Sequence, residues 1–257
     1  MPGLERTFEE SDAYKYGFAI GIPTRGTIDI RFMIHMHNLS LVLPTGLTWK
    51  YVYCRGYPVD VARESIVEAC IEHKVKNLFF IDDDCFVPTH AVRTLLEDVE
   101  RGCDIASGIV WTKREPTEPC IYRRQGEGAY YNFPKNTVFE IEAAGMSCCM
   151  IKVDIFKQIE KPWFKFTWGQ TNPKTGRYWA RKGEDLYFCH KAREAGFKLH
   201  CDSRVLCDHL NVDTGKFYPG QKWVEKLMPP ELQQKMGERV TKGSEPLLKS
   251  WEADFSE

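Results

Sequence analysis

The sequence predicts an α/β protein with a mixed, mostly parallel sheet flanked by helices. Three observations carry the prediction. Apolar runs of strand length alternate with helical stripes from Tyr16 to Val110, the pattern of right-handed crossovers onto one sheet. Two of those runs end in conspicuous polar loops, "IPTRG" at 22–26 and "DDD" at 82–84, where open α/β sheets place their ligands. The chain has 257 residues, 43% hydrophobic and 13% aromatic, enough for a core of ordinary size.

Each element has its own signal. "YGFAIGIPTRG" (16–26) reads as a buried strand closed by a Pro/Gly loop. A helix follows, with Ile30, Ile34 and Leu41 on one face before Pro44. "TWKYVYC" (48–54) alternates as a strand. Asp60 is placed as an N-cap, with Ala62, Ile66, Ala69 and Cys70 as the apolar stripe. "NLFFID" (77–82) is the third strand. Pro88 suits a first helical turn, Val92, Leu95, Leu96 and Val99 follow at helical spacing, and Gly102 closes the helix. "CDIASGIV" (103–110) is the fourth strand. Short strands are expected near 119–123, 137–142 and 147–152, then a helix over 184–195 closed by Gly196. "KLHCDS" and "VLCDHL" read as a strand pair, and 221–257 as a helical tail.

Composition excludes several classes. Lys plus Arg is 35 against 36 Asp plus Glu, so no basic face for long nucleic acid is implied. The opening residues hold no apolar signal region and no run approaches the about 20 apolar residues of a membrane span. The expectation is an intracellular, cytoplasmic protein whose ten cysteines, none in a CxxC pair, are reduced thiols.

The acidic triplet demands a physical explanation. Unit charges about 4 Å apart repel by about 4 kcal/mol at an effective dielectric near 20. On a strand, side chains at i and i+2 share a face, so Asp82 and Asp84 are expected to converge and Asp83 to point away. Two convergent carboxylates suit a hard divalent cation, Mg²⁺ or Mn²⁺. The competing account is an acidic cluster favouring the dipole of the next helix. His209, at the end of "VLCDHL", is a further metal-ligand candidate.

The ordered set "IPTRG", "DVARESIVEA", "FFIDDDCFVP", "DIASGIVWTKREP", "AAGMSCCMIKVDIF", "KPWF", "GEDLYFCHKAREAGFKLHCD" and "CDHL" resembles the GT-A glycosyltransferases, closest to the family-2-like members of phages and prokaryotes. The resemblance covers residues 17 to 212. It implies a GT-A fold over 1–220, with a Rossmann-like nucleotide-binding half (17–110), an acceptor half (111–220) and a C-terminal helical tail. It implies sugar transfer from a nucleoside-diphosphate-sugar, UDP favoured, to an acceptor hydroxyl. The acceptor would be a glycan, a lipid-linked glycan, a protein or a modified DNA base. Asp82, Asp84 and His209 would hold the metal in a DxD-type site. Pro23, Thr24, Arg25, Arg63, Asp82 and Asp83 would bind the donor. Asp185 would be the general base of an inverting displacement, with Glu184 beside it. Gly145, Met146 and Trp163 would line the acceptor pocket, and 168–182 resembles the loop that orders over the donor. A nucleotidyltransferase would need a Gly-rich basic loop that "IPTRGTIDIR" lacks. A decayed binding module would not need the intact acids, and a metal-dependent phosphohydrolase or nuclease would need more scattered acids and a basic groove.

Overall fold

A computed structural model describes residues 14–167 and 183–219. The alternating first half folds as β1 (Tyr16–Thr24), α1 (Ile30–Ser40), β2 (Trp49–Arg55), α2 (Val59–Glu72), β3 (Val75–Ile81), β4 (Cys85–Phe86), α3 (Ala91–Glu100) and β5 (Ile105–Ile109). The second half adds β6 (Ile121–Tyr122), β7 (Val138–Ile141), β8 (Ala143–Ala144), β9 (Cys148–Lys152), α4 (Asp154–Gln158), α5 (Glu184–Glu194), β10 (Leu199–Leu206), β11 (Asp208–Asn211) and β12 (Lys216–Tyr218).

One seven-stranded sheet, ordered β2-β1-β3-β9-β5-β10-β7, runs through both halves. β1 pairs parallel with β2 and β3, and β10 pairs parallel with β5. β9 is antiparallel to β3 and β5, and β7 is antiparallel to β10. Five strands therefore point one way, and the sheet is mixed but mostly parallel. Both faces are covered, so the strands are apolar on both sides, as buried parallel strands are. Ala19, Leu78 and Phe80 pack with α2 and α5 on one face. Phe18, Ile20, Phe79 and Ile81 pack with α1 and α3 on the other.

Several local expectations are corrected. On α1 the buried stripe is Phe32, Met36 and Leu39, whereas Ile30, Ile34 and Leu41 are exposed. Both sets fit a helical period, and only the position of the sheet selects between them. α2 begins at Val59, behind Pro58, without a side-chain cap; Asp60 sits inside the first turn, where a carboxylate still favours the dipole. Pro88 lies before α3, in a turn whose carbonyl accepts the Ala91 N–H at 2.8 Å. Near 198–210 two strands do form, but the break falls at Cys207, so that β10 takes in the start of "VLCDHL". β10 belongs to the large sheet, while β11 turns away and pairs with β12 and β4 in a small three-stranded sheet. The ten cysteines are free thiols, seven of them buried. The expected donor-covering loop at 168–182, with Trp168 and Trp179, and the tail at 221–257 lie outside the described residues. No helix among the described residues is long and apolar enough to cross a membrane.

Candidate active site

A cavity of about 410 Å³ opens at the carboxyl ends of β1 and β3. Pro23, Thr24 and Arg25 form one wall, Tyr57 to Val59 and Arg63 a second, and Asp82 to Asp84 the floor; Lys113, Phe166, Glu184 and His209 complete it. The fold thus brings both polar loops singled out in the sequence to one place. It adds two residues more than 100 positions downstream.

β3 ends at Ile81, one residue earlier than expected, and the triplet occupies a turn in which the Cys85 N–H returns to the Asp82 carbonyl at 3.0 Å. Strand alternation therefore does not govern these side chains. Each carboxylate has its own partners. Asp82 accepts from Arg63 Nη2 at 2.8 and 3.1 Å and from the Ser147 hydroxyl at 2.6 Å. Asp83 accepts from the Thr24 hydroxyl and the Arg25 N–H; burial, then the charges of Asp84 and Asp82, still raise its pKa. Asp84 faces His209 Nε2 at 3.0 Å and forms an ion pair with Lys113. Burial works against the charged form of Asp84, but the His209 and Lys113 contacts outweigh it and hold the carboxyl down to about 2.

Sheet register explains the meetings. Ile81 pairs with Cys148 across β3 and β9, which sets Ser147 beside Asp82. His209 pairs with Cys85 across β11 and β4, and the Leu210 N–H reaches the Asp84 carbonyl at 2.8 Å. His209 Nδ1 lies 2.6 Å from the Trp111 carbonyl. A carbonyl only accepts, so Nδ1 carries the hydrogen; Nε2 lowers the Asp84 pKa only as a second donor, and without that hydrogen it presents a lone pair to the carboxylate. A lone pair and a carboxylate oxygen at 3.0 Å need a proton or a cation between them.

Arg63 is buried, contrary to a solvated helix position, with a side chain 3% exposed. Besides Asp82 it pairs with Glu184, and its Nε finds no partner among the described residues. Burial opposes its charge, and the fields of Asp82, Glu184 and Asp185 more than restore it. Glu184 and Asp185 open α5 behind Gly183. A Cβ on Gly183 would lie 2.5 Å from Asp185 Oδ1, so the missing side chain makes room for that carboxylate, which accepts the Leu186 N–H at 2.7 Å. Burial raises the pKa of both acids against the pull of Arg63. Burial thus overrides the helix dipole, which alone would weaken a base.

Gly145 lies beside Asp185: a Cβ there would be 3.8 Å from Asp185 Oδ2 and 3.3 Å from the Cys120 Cβ. Met146 and Trp163 are placed otherwise than expected. Both are buried in the hydrophobic core, and Trp163 donates its indole N–H to the Ile159 carbonyl and meets Phe156 edge-on. Neither side chain lines the cavity. Sequence reasoning passed over Lys113 and Ser147. Lys113 had a signal, a cation just beyond a strand at the ligand edge. Ser147 had none without the β3–β9 pairing.

No protein-family model matches this chain, and no curated protein does. Among solved structures, it is similar to A197 from STIV at 17% identity and a TM-score of 0.57, over 78% of this chain and 92% of that one. It is also similar to the inositol-1-phosphate CTP transferase from T. maritima, at 7% identity and a TM-score of 0.43, over 87% and 97% of the two chains. The first likeness shows the fold. The second superposes too loosely to carry an argument.

Proposed function

We propose that this chain is a metal-dependent glycosyltransferase that moves a sugar from a nucleoside-diphosphate-sugar, UDP-linked by preference, to an acceptor hydroxyl. The observation that carries the reading is the Asp84–His209 pair, with Nδ1 committed to a carbonyl and Nε2 turned to the carboxylate. It sits on the floor of a cavity at the ligand edge of an α/β sheet.

The residues fit a divalent cation in a limited way. Among the described residues no three His, Cys, Asp or Glu side chains gather as a ready-made cage, and Asp82 is taken by Arg63 and Ser147. Asp84 and His209 would supply two protein ligands. That suits Mn²⁺ or Mg²⁺, since Mg²⁺ sites use one or two carboxylates and take the rest from water and substrate phosphates. Bound there, the cation would supply Lewis-acid neutralisation of a leaving diphosphate. Lys113 and Arg25, which line the same cavity, would add positive charge for the diphosphate. Thr24 and Asp83 offer polar contacts to base and ribose. Asp185, its pKa raised by burial and adjacent to Gly145, is the candidate base for the acceptor proton. Asp185 follows Glu184, which lines the cavity, and a single base there would fit direct displacement with inversion.

The test is thermal shift of the pure protein with UDP, GDP and dTDP, each with Mn²⁺ and with EDTA, followed by UDP release from UDP-sugars. A Mn²⁺-dependent shift with one nucleotide, lost in Asp84→Ala, supports the reading. No shift with any nucleotide sinks it. Pyrophosphate release from a nucleoside triphosphate instead of UDP release would point to nucleotidyl transfer.

A further inference from the structure

We propose that Arg63 is a positioning residue rather than a nucleotide ligand. It clamps the end of β3 to the start of α5 and so fixes the first turn of α5, in which Asp185 follows the cavity-lining Glu184. The inference rests on the transferase reading and concerns how its base is held.

The geometry is two-sided. Nη2 grips both oxygens of Asp82 at 2.8 and 3.1 Å, and Nη1 pairs with Glu184, 121 positions away in sequence. The Arg63 and Glu184 side chains are 3% and 9% exposed, and the guanidinium lies 5.8 Å from the centre of the Phe80 ring. Both terminal nitrogens are committed and Nε is shielded from solvent. A phosphate oxygen would have to displace a carboxylate to reach this side chain.

Such a network gives little net stability, because apolar replacements of similar volume often do as well. What it gives is placement. Arg63 rides on α2, Asp82 follows β3, and Glu184 opens α5, so one side chain ties together three of the elements that wall the cavity. Glu184 and Asp185 share the first turn of α5, and fixing one fixes the backbone of the other. A lysine has one nitrogen and no fork, and cannot hold both acids in this way.

The experiment measures UDP affinity with Mn²⁺ and turnover of a UDP-sugar at saturating nucleotide, for the wild type, Arg63→Met and Arg63→Lys. The clamp predicts a UDP Kd within about twofold of wild type in both variants. It predicts turnover down on the order of 100-fold in Arg63→Met, the loss that a misplacement of about 1 Å can cause, with partial recovery in Arg63→Lys. A UDP Kd weakened tenfold or more with turnover retained would overturn the proposal and make Arg63 a donor ligand. Unchanged Kd and turnover would also overturn it. If Arg63→Met does not fold, Arg63→Lys alone decides by the same split. If wild type binds no nucleotide, the transferase reading fails by itself. The clamp is then judged by melting temperatures of Arg63→Lys, Glu184→Gln and the double variant: coupled effects support it, additive effects overturn it.

Discussion

Asp82 and Asp84 stand two residues apart and have different surroundings. Asp82 is tied inward to a buried arginine and a serine hydroxyl. Asp84 is tied outward to a histidine and a lysine that line the cavity. Against the repulsion of its neighbours each carboxylate therefore has partners of its own. A third case lies elsewhere. Asp98 and Asp202, both buried, are hydrogen-bonded to each other beside Arg204. There Arg204 pairs with both carboxylates, and burial, then the bond to Asp202, pushes Asp98 up to about 6. The difference teaches which acids are free for chemistry: those whose partners a ligand can replace.

The comparison breaks most visibly at Arg63. Arg63→Met leaves Asp82 and Glu184 facing each other without a cation, and a loss of about 3–5 kcal/mol is expected in urea unfolding at pH 7. A loss below about 1 kcal/mol would show that these acids are solvated rather than clamped.

Asp84→Ala should behave in the opposite manner. Its partners are partly exposed, so the stability loss is held to about 1–2 kcal/mol. The metal-dependent stabilisation by UDP, about 2.7 kcal/mol at a hundredfold excess over Kd, should vanish. Retention of that stabilisation would move the nucleotide site away from Asp84.

For the Asp98–Asp202 pair, the sign follows from a raised folded pKa. Ionised Asp98 is penalised in the folded state above about pH 6, and the penalty fades as pH falls toward 4. Asp98→Asn is therefore expected to gain about 2 kcal/mol at pH 8, with the gain gone by about pH 4. Denaturation midpoints at the two pH values measure it, and a gain independent of pH would refute the raised Asp98 pKa.

The smallest expected effect is at Gly183. Its backbone φ of −61° suits any residue, so Gly183→Ala changes only the space taken by Asp185 Oδ1. Turnover should fall about tenfold, equivalent to about 1.4 kcal/mol, with melting nearly unchanged. Full activity would detach Asp185 from the base role.

Much of this was legible in the sequence. The 2.0 and 3.6 periods located β1 to β3, α2, α3 and α5, since burial on a sheet leaves an apolar signature whatever the partner. "IPTRG", "DDD" and "GED" marked the segments that meet at the cavity, because charge at a strand end is costly without a purpose. The errors have a common cause. The stripe on α1 admits two faces, and the strand residues near 198–210 admit a break at either of two positions. Trp163 and Met146 admit a core or a sugar. In each case local chemistry satisfies both choices.

The sequence by itself determined the element types, the ligand edge and the residues that had to be explained there, because periodicity and charge are local quantities. Tertiary structure alone decided which partner each acid received. Arg63 meets Glu184 across 121 positions and His209 meets Asp84 across 125. The first depends on α2 and α5 packing on the same face of the sheet, the second on the departure of β11 into a second sheet. Strand register, which shifts a side chain to the opposite face with a slip of one residue, is set by the packing of the whole sheet and is written in no single segment.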